Sequence, residues 1–205
     1  GMEIALYDDN HDGVYNQSDT FSINGATVYA PISELLPSSS KVYRFERIED
    51  NGEKFVCQEH DGETAKIDVE FRAREVKAQI AFGNDKLNFT SEGRGKTLTV
   101  VPGEYRLLYG FVVSRKKKAV AGVTAGEMKP TVVEAGKKST IELGAPFRLI
   151  FAATREGTKI KISQYSIKVR GRAEEEYDPV EIIGTPIVSL VRGRKRTGMG
   201  SFETG

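Results

Sequence analysis

Apolar and polar residues alternate along most of this chain with a period of two, the repeat of a strand with one face on a core and the other in water. In IDVEF, Ile67, Val69 and Phe71 share one face and Asp68 and Glu70 the other; VKAQIAF sorts Val76, Ala78, Ile80 and Phe82 in the same way. YRLLYGFVV is apolar on both sides, with Tyr105, Leu107, Tyr109 and Phe111 opposite Leu108 and Val112, and it predicts a central strand covered on both faces. FRLIFAA, TKIKIS, YSIKV, VEII and IVSLV carry the pattern toward the C-terminal end. Turn signals separate these runs: DNG at 50–52, HDG at 60–62, GND at 83–85, EGRG at 92–95 and REG at 155–157. Many short strands with turns at short spacing predict an all-β fold of the sandwich or barrel class. One stretch departs from the rule. PISELL, led by Pro31 and closed by Pro37, predicts a helical turn or two, with LPSSSK as the loop that follows.

Two joints, FRAREVK at 71–77 and LGAPF at 143–147, suggest divisions. They give an N-terminal β domain over 1–74, a second β unit over 75–145 and a C-terminal unit over 146–205, so two or three small sandwich-like units in tandem are expected. The length of 205 residues allows this and is ample for a buried core.

Composition narrows the partners. Hydrophobic residues make up 39% and charged residues 29%, which fits an ordered globular chain rather than a disordered one. The balance of 30 basic against 29 acidic residues removes the general attraction that phosphate backbones and anionic membranes exploit, so nucleic acid is not an expected partner. No apolar run approaches the roughly 18 residues of a membrane span, so no transmembrane segment is expected. The opening GMEIALYDDN has neither a basic nor an apolar leader region; Gly1 before Met2 reads as a remnant of tag cleavage, and an export signal would have preceded this numbering. Cys57 is the only cysteine, which excludes an intrachain disulfide, and its place in KFVCQ predicts an inert buried thiol.

The densest chemistry lies in DDNHDGVYNQSD, residues 8–19. Counted from Asp8, the positions 1, 3, 5, 7, 9 and 12 are Asp8, Asn10, Asp12, Val14, Asn16 and Asp19, with Gly13 at position 6. Calcium needs six to eight oxygens at once, so short oxygen-bearing side chains at alternate positions, a backbone carbonyl at position 7 and a glycine at the sharp turn suit it. The spacing resembles an EF-hand loop, and the closing aspartate is similar to that of dockerin-type loops. The resemblance covers twelve residues only, because EIALY and FSING on either side alternate like strands. Two readings stand: a structural Ca2+ held by Asp8, Asn10, Asp12, Val14, Asn16 and Asp19, or an Asx-rich turn whose side chains serve nearby backbone amides.

LTVVPGEYRLLYGFVV, residues 98–113, resembles the P-x-G-x-Y-x-L strand of prealbumin-like and carboxypeptidase-regulatory-like domains, in which the tyrosine packs at the start of the strand. VVEAGKKSTIEL at 132–143 is similar to the strand pair that follows in such units. Together with the acidic loop, the chain resembles bacterial secreted or cell-envelope proteins built from such β domains. That resemblance implies Ig-like or prealbumin-like sandwiches, an extracytoplasmic location and no catalytic residues to transfer. The function expected is non-catalytic: adhesion, envelope assembly or ligand display, with an unknown protein or glycan as partner. A carbohydrate-active module, either sugar-binding or a weakly marked glycosidase, is the alternative; the lack of tryptophan, a usual sugar-stacking residue, favours the first reading.

The remaining clusters predict solvated surface. SRKKK at 114–118 and RGRKR at 192–196 follow strands and read as hairpin tips. Glu174, Glu175 and Glu176 read as a solvated loop. His11 lies in the acidic loop and His60 in a turn, and no G-x-S-x-G, H-E-x-x-H or glycine-rich phosphate loop occurs.

Overall fold

A computed structural model describes residues 3–23, 25–49, 54–74, 76–93, 97–114, 119–157, 159–163, 166–182, 187–192 and 195–201. The fold is nearly all β, with 60% strand and 1% helix. Strands β1 (Ile4–Tyr7), β2 (Thr20–Ile23) and β3 (Ala30–Pro31) form one sheet in that order, and β4 (Leu35–Pro37), β5 (Val42–Glu49) and β6 (Lys54–Glu59) form another. The middle of the chain supplies β7 (Ala65–Arg72), β8 (Val76–Gly83), β9 (Asn88–Ser91), β10 (Leu98–Val100), β11 (Gly103–Ser114), β12 (Ala119–Thr124), β13 (Thr131–Val133) and β14 (Lys138–Gly144). The last part supplies β15 (Arg148–Ile150), β16 (Ala153–Glu156), β17 (Lys159–Ile162), β18 (Lys168–Arg170), β19 (Glu176–Ile182), β20 (Ile187–Arg192) and β21 (Lys195–Ser201).

The largest sheet runs β15-β18-β19-β12-β11-β8-β9, with β13 pairing the start of β11, and a smaller one runs β10-β7-β14. Alternation does what it predicts in β7: Ala65, Ile67, Val69 and Phe71 are buried on one face. They join Val100, Ile141 and Leu143 of the smaller sheet, and Ile80, Phe82, Phe89, Tyr105, Leu107, Val112 and Val123 of the larger one, in a single core. Burying each such side chain stabilises the fold by about 1.5–3 kcal/mol, so this facing pair of sheets dominates its energetics. A second core, with Phe21, Ile23, Val28, Ala30, Ile32 and Leu36, holds the N-terminal sheet against Ala81 and Tyr109.

Hydrogen bonding crosses both expected divisions. β7 pairs in parallel with β14 in the register Ile67↔Ser139 to Gly144↔Arg72, which joins the segments before and after residue 74. β12 pairs with β19, from Ala119↔Ile182 to Thr124↔Glu176, which joins the segments before and after residue 145.

Two sequence expectations are overturned here. PISELL is not helical: Pro31 ends β3, Leu35 and Leu36 lie in β4, and Ile32, Ser33, Leu35 and Leu36 are all buried. Its amides are taken by distant acceptors, Ile32 N–H by the Asp19 carbonyl at 2.8 Å and Leu35 N–H by the Lys86 carbonyl at 2.9 Å. The Ser33 hydroxyl donates to the Leu35 carbonyl at 2.7 Å, so tertiary bonding replaces the helical ladder. Nor is the VPG strand covered on both faces. The register of β11 against β8 shifts between Leu107 and Tyr109, so the inward set changes from Tyr105 and Leu107 to Gly110 and Val112. Leu108 and Phe111 point to water at 38% and 42% exposure. A bulge makes a one-sided strand read as two-sided, because one inserted residue exchanges the faces.

At the start of this strand Tyr105 is fully buried, and its hydroxyl donates to the Val101 carbonyl at 2.9 Å. Burial pushes its phenol pKa well above the ordinary range. The DNG turn at 50–52, residues 115–118 of SRKKK and Gly193 and Arg194 of RGRKR lie outside the described residues. The strands flanking these three segments pair as antiparallel hairpins.

Candidate functional site

The acidic loop joins β1 to β2, whose register Ile4↔Ile23 to Tyr7↔Thr20 brings its two ends together. Gly13 takes a left-handed φ of 77°, which an L side chain rarely adopts and which the sharp turn at position 6 requires. The side chains turn back on their own backbone. Asp8 Oδ1 accepts from Asp12 N–H at 3.2 Å and Oδ2 from Gly13 N–H at 2.9 Å. Asn10 Oδ1 accepts from Asp12 N–H at 3.0 Å, and Asp12 Oδ1 from Val14 N–H at 2.7 Å. Asn16 Oδ1 accepts from Ser18 N–H at 2.8 Å, while its Nδ2 donates to the Val14 carbonyl at 3.2 Å. Asp19 is fully buried and accepts from Asp9 N–H at 3.0 Å and Asn16 N–H at 2.8 Å.

The loop therefore splits the six sequence-chosen residues into two groups. Asp8, Asn10 and Asp12 gather around the Gly13 turn, while Val14, whose carbonyl accepts from Asn16 Nδ2, joins Asn16 and Asp19 at its exit into β2. Among the described residues, no three His, Cys, Asp or Glu side chains stand close enough to hold a metal ion. The donor chemistry nonetheless fits calcium: a carboxylate or amide oxygen has a second lone pair beyond the one an amide occupies, and the glycine turn is already formed. His11, exposed at a left-handed φ of 60°, places Nδ1 3.3 Å from the Asp9 carbonyl and stands beside the turn rather than in it.

A second cluster escaped the sequence reading. Glu175, expected in a solvated loop, is fully buried. Its Oε1 accepts from Gly144 N–H at 2.7 Å and Tyr177 O–H at 2.6 Å, and its Oε2 from Ala173 N–H at 2.9 Å. A Cβ on Gly171 would fall 1.9 Å from Oε1, so the turn between β18 and β19 closes directly over the carboxylate. Burial, with the neighbouring carboxylate added, holds the Tyr177 phenol pKa far above its ordinary range. Three donors fill the carboxylate, and it clamps the end of β14 to this turn. Beside it Arg170, 9% exposed, pairs with Glu127 at 2.7 Å and Glu176 at 2.9 Å. The Lys168 hydrogen bond, with Arg170 assisting, keeps the Glu176 carboxyl below its usual range against the cost of desolvation. Glu175 directly precedes β19 and lies two residues before Tyr177, a local spacing that does not by itself reveal its burial.

Cys57 corrects another expectation, since it is exposed on β6 rather than buried. The β5–β6 register sets Cys57 opposite Phe45, whose ring packs on Phe55 with centroids 5.1 Å apart, and the thiol remains exposed beside that pair. An open cleft of about 470 Å³ lies between the turn at Asn84–Lys86 and the start of β11, lined by Asp85, Lys86, Glu104 and Arg106 of both signs.

Among the described residues, exposed large apolar side chains cluster at 147–162. Phe147, Leu149, Ile150, Phe151 and Ile160 are all exposed, Leu149 at 59%. β15 is the outermost strand of the large sheet, and β16 and β17 form a two-stranded ribbon of their own. Among the described residues no helix is long and apolar enough to cross a membrane. No protein-family model matches the chain, no curated protein matches its sequence, and no solved structure matches its fold.

Proposed function

We propose that this chain is a non-catalytic, exported β protein that holds a partner in adhesion, envelope assembly or ligand display, and that its uncovered end at 147–162 does the holding. One observation carries the reading. Leu149 and Ile150 on an edge strand, Phe151 after it and Ile160 on the ribbon that follows are exposed large apolar side chains, where a chain with no partner would bury or charge them. The resemblance of residues 98–113 to prealbumin-like domains supports a sandwich for the two facing sheets and an extracytoplasmic place for the protein. In this reading the acidic loop takes a structural Ca2+ on Asp8, Asn10, Asp12, Val14, Asn16 and Asp19. The ion would neutralise three carboxylates and brace the entry to β2.

The test is a fluorescent dye, anilinonaphthalene sulfonate, which brightens on exposed apolar surface. The native protein should enhance its emission, and a Leu149→Asp, Phe151→Asp double variant should lose that enhancement with an unchanged melting temperature. A native protein that leaves the dye dark has that end covered, and the reading fails.

A further inference from the structure

The near-zero net charge hides a separation. Residues 1–40 contain Glu3, Asp8, Asp9, Asp12, Asp19 and Glu34 and no lysine or arginine. Residues 147–163 contain Arg148, Arg155, Lys159 and Lys161 against Glu156 alone. The fold keeps these segments apart on the large sheet. β2 and β3 pack on β9, and β1 lies near β11, since Tyr7 packs on Tyr29, whose carbonyl accepts from the Tyr109 hydroxyl, while β15 is the first strand. Four strand-to-strand steps separate β11 from β15, roughly 19 Å at the usual spacing. One pole is therefore acidic and the other basic and apolar; Arg148 pairs with Glu174 and Lys161 with Glu156, so Arg155 and Lys159 carry the excess charge of the second pole.

Each pole also ends in a strand edge that carries no neighbour among the described residues: β1 in the order β1-β2-β3, and β15 in the large sheet. Beside β1 stand the exposed acids Glu3, Asp9 and Asp12 together with the exposed apolar Tyr7 and Val14, the latter at 60% exposure. Beside β15 stand the exposed Leu149 and Phe151, and the β16–β17 ribbon with Arg155 and Lys159. A two-stranded ribbon exposed along nearly its whole length gains most from being covered.

We propose that the chain docks head to tail on a second copy of itself, the basic apolar edge of β15 and its ribbon in one copy meeting the acidic β1 edge and loop of the next. This rests on the reading of residues 147–162 as a docking surface and names its occupant. Complementary charge steers the encounter and sets polarity, and the apolar side chains supply the buried contact. Two different patches on opposite poles make the contact heterologous, so each added copy leaves a free pole at both ends of an open chain.

Sedimentation velocity tests this. At about 20 mM salt the mean mass should climb with protein concentration with no plateau at a dimer, and about 0.5 M salt should weaken association by at least about tenfold. Two variants at exposed positions separate the poles: Arg155→Glu with Lys159→Glu, and Glu3→Lys with Asp9→Lys. Each alone should stay monomeric with native melting. Mixed in equal amounts they should associate, because the charges of each variant complement those of the other. A wild type that is monomeric up to about 1 mM, a closed symmetric dimer, or variants that associate alone or fail to pair when mixed would each overturn the proposal. Dye binding by a strictly monomeric wild type would leave the docking surface standing and remove the second copy as its occupant.

Discussion

Asp19 and Glu175 are both wholly buried carboxylates, and both are met by backbone amides rather than by a lysine or arginine. Each of their carboxylate oxygens meets a hydrogen-bond donor, which offsets the cost of taking the group out of water. The difference lies in what surrounds them. Glu175 is filled by two amides and a phenol under a closed turn, whereas Asp19 belongs to a loop whose other oxygens, on Asp12 and Asn10, are exposed. If the loop binds calcium, the ion should raise the melting temperature at micromolar to millimolar concentration and chelator should lower it. At a hundredfold excess over the dissociation constant the gain is about 2.7 kcal/mol. Magnesium should substitute poorly, since it demands near-octahedral geometry, and Asp12→Ala should abolish the response while sparing the fold. Melting curves identical in calcium and in chelator would make the loop a polar turn. The loop was legible in sequence because its spacing is local. Glu175 was not, because the amide of Gly144 reaches it only through the fold.

In β11 a single inserted residue decides which side chains matter. Leu107 is 5% exposed and Leu108 38%, although both stand in an equally apolar run. Leu107→Ala should cost about 2–5 kcal/mol through lost transfer energy and a residual cavity, and Leu108→Ala no more than about 0.5 kcal/mol. Denaturant midpoints of the two variants check this. Equal shifts would mean that the strand is covered on both sides after all. β7 followed its alternation, whereas β8 is buried on both faces at Ile80, Ala81 and Phe82 because the second core reaches Ala81. PISELL misled because its two prolines and short apolar run suit a helical turn locally, while its amides are claimed by Asp19 and Lys86 from other parts of the chain. Propensity over six residues is too weak to resist that.

The β class was readable from period and turns, but the order of strands was not, since it depends on which distant edges meet. The parallel pairing of β7 with β14 and the antiparallel pairing of β12 with β19 tie the expected tandem segments to shared sheets. Among the described residues the middle of the chain is covered and the segment at 147–162 is exposed. β7, β8 and β11 each pair with strands on both sides within their sheets, whereas among the described residues β15 pairs with β18 alone. Exchange should therefore be slowest in the first set and fast at the uncovered end, where opening costs little. Hydrogen–deuterium exchange measured by mass spectrometry on the whole chain, dilute and concentrated, tests this most directly. In dilute solution, peptides covering 65–72, 76–83 and 103–114 should be protected and those covering 147–162 should exchange quickly; concentration should slow 147–162 together with the β1 segment and leave the core unchanged. Protection of 147–162 equal to that of the core in dilute solution would contradict the account, because that end would then be covered within the single molecule.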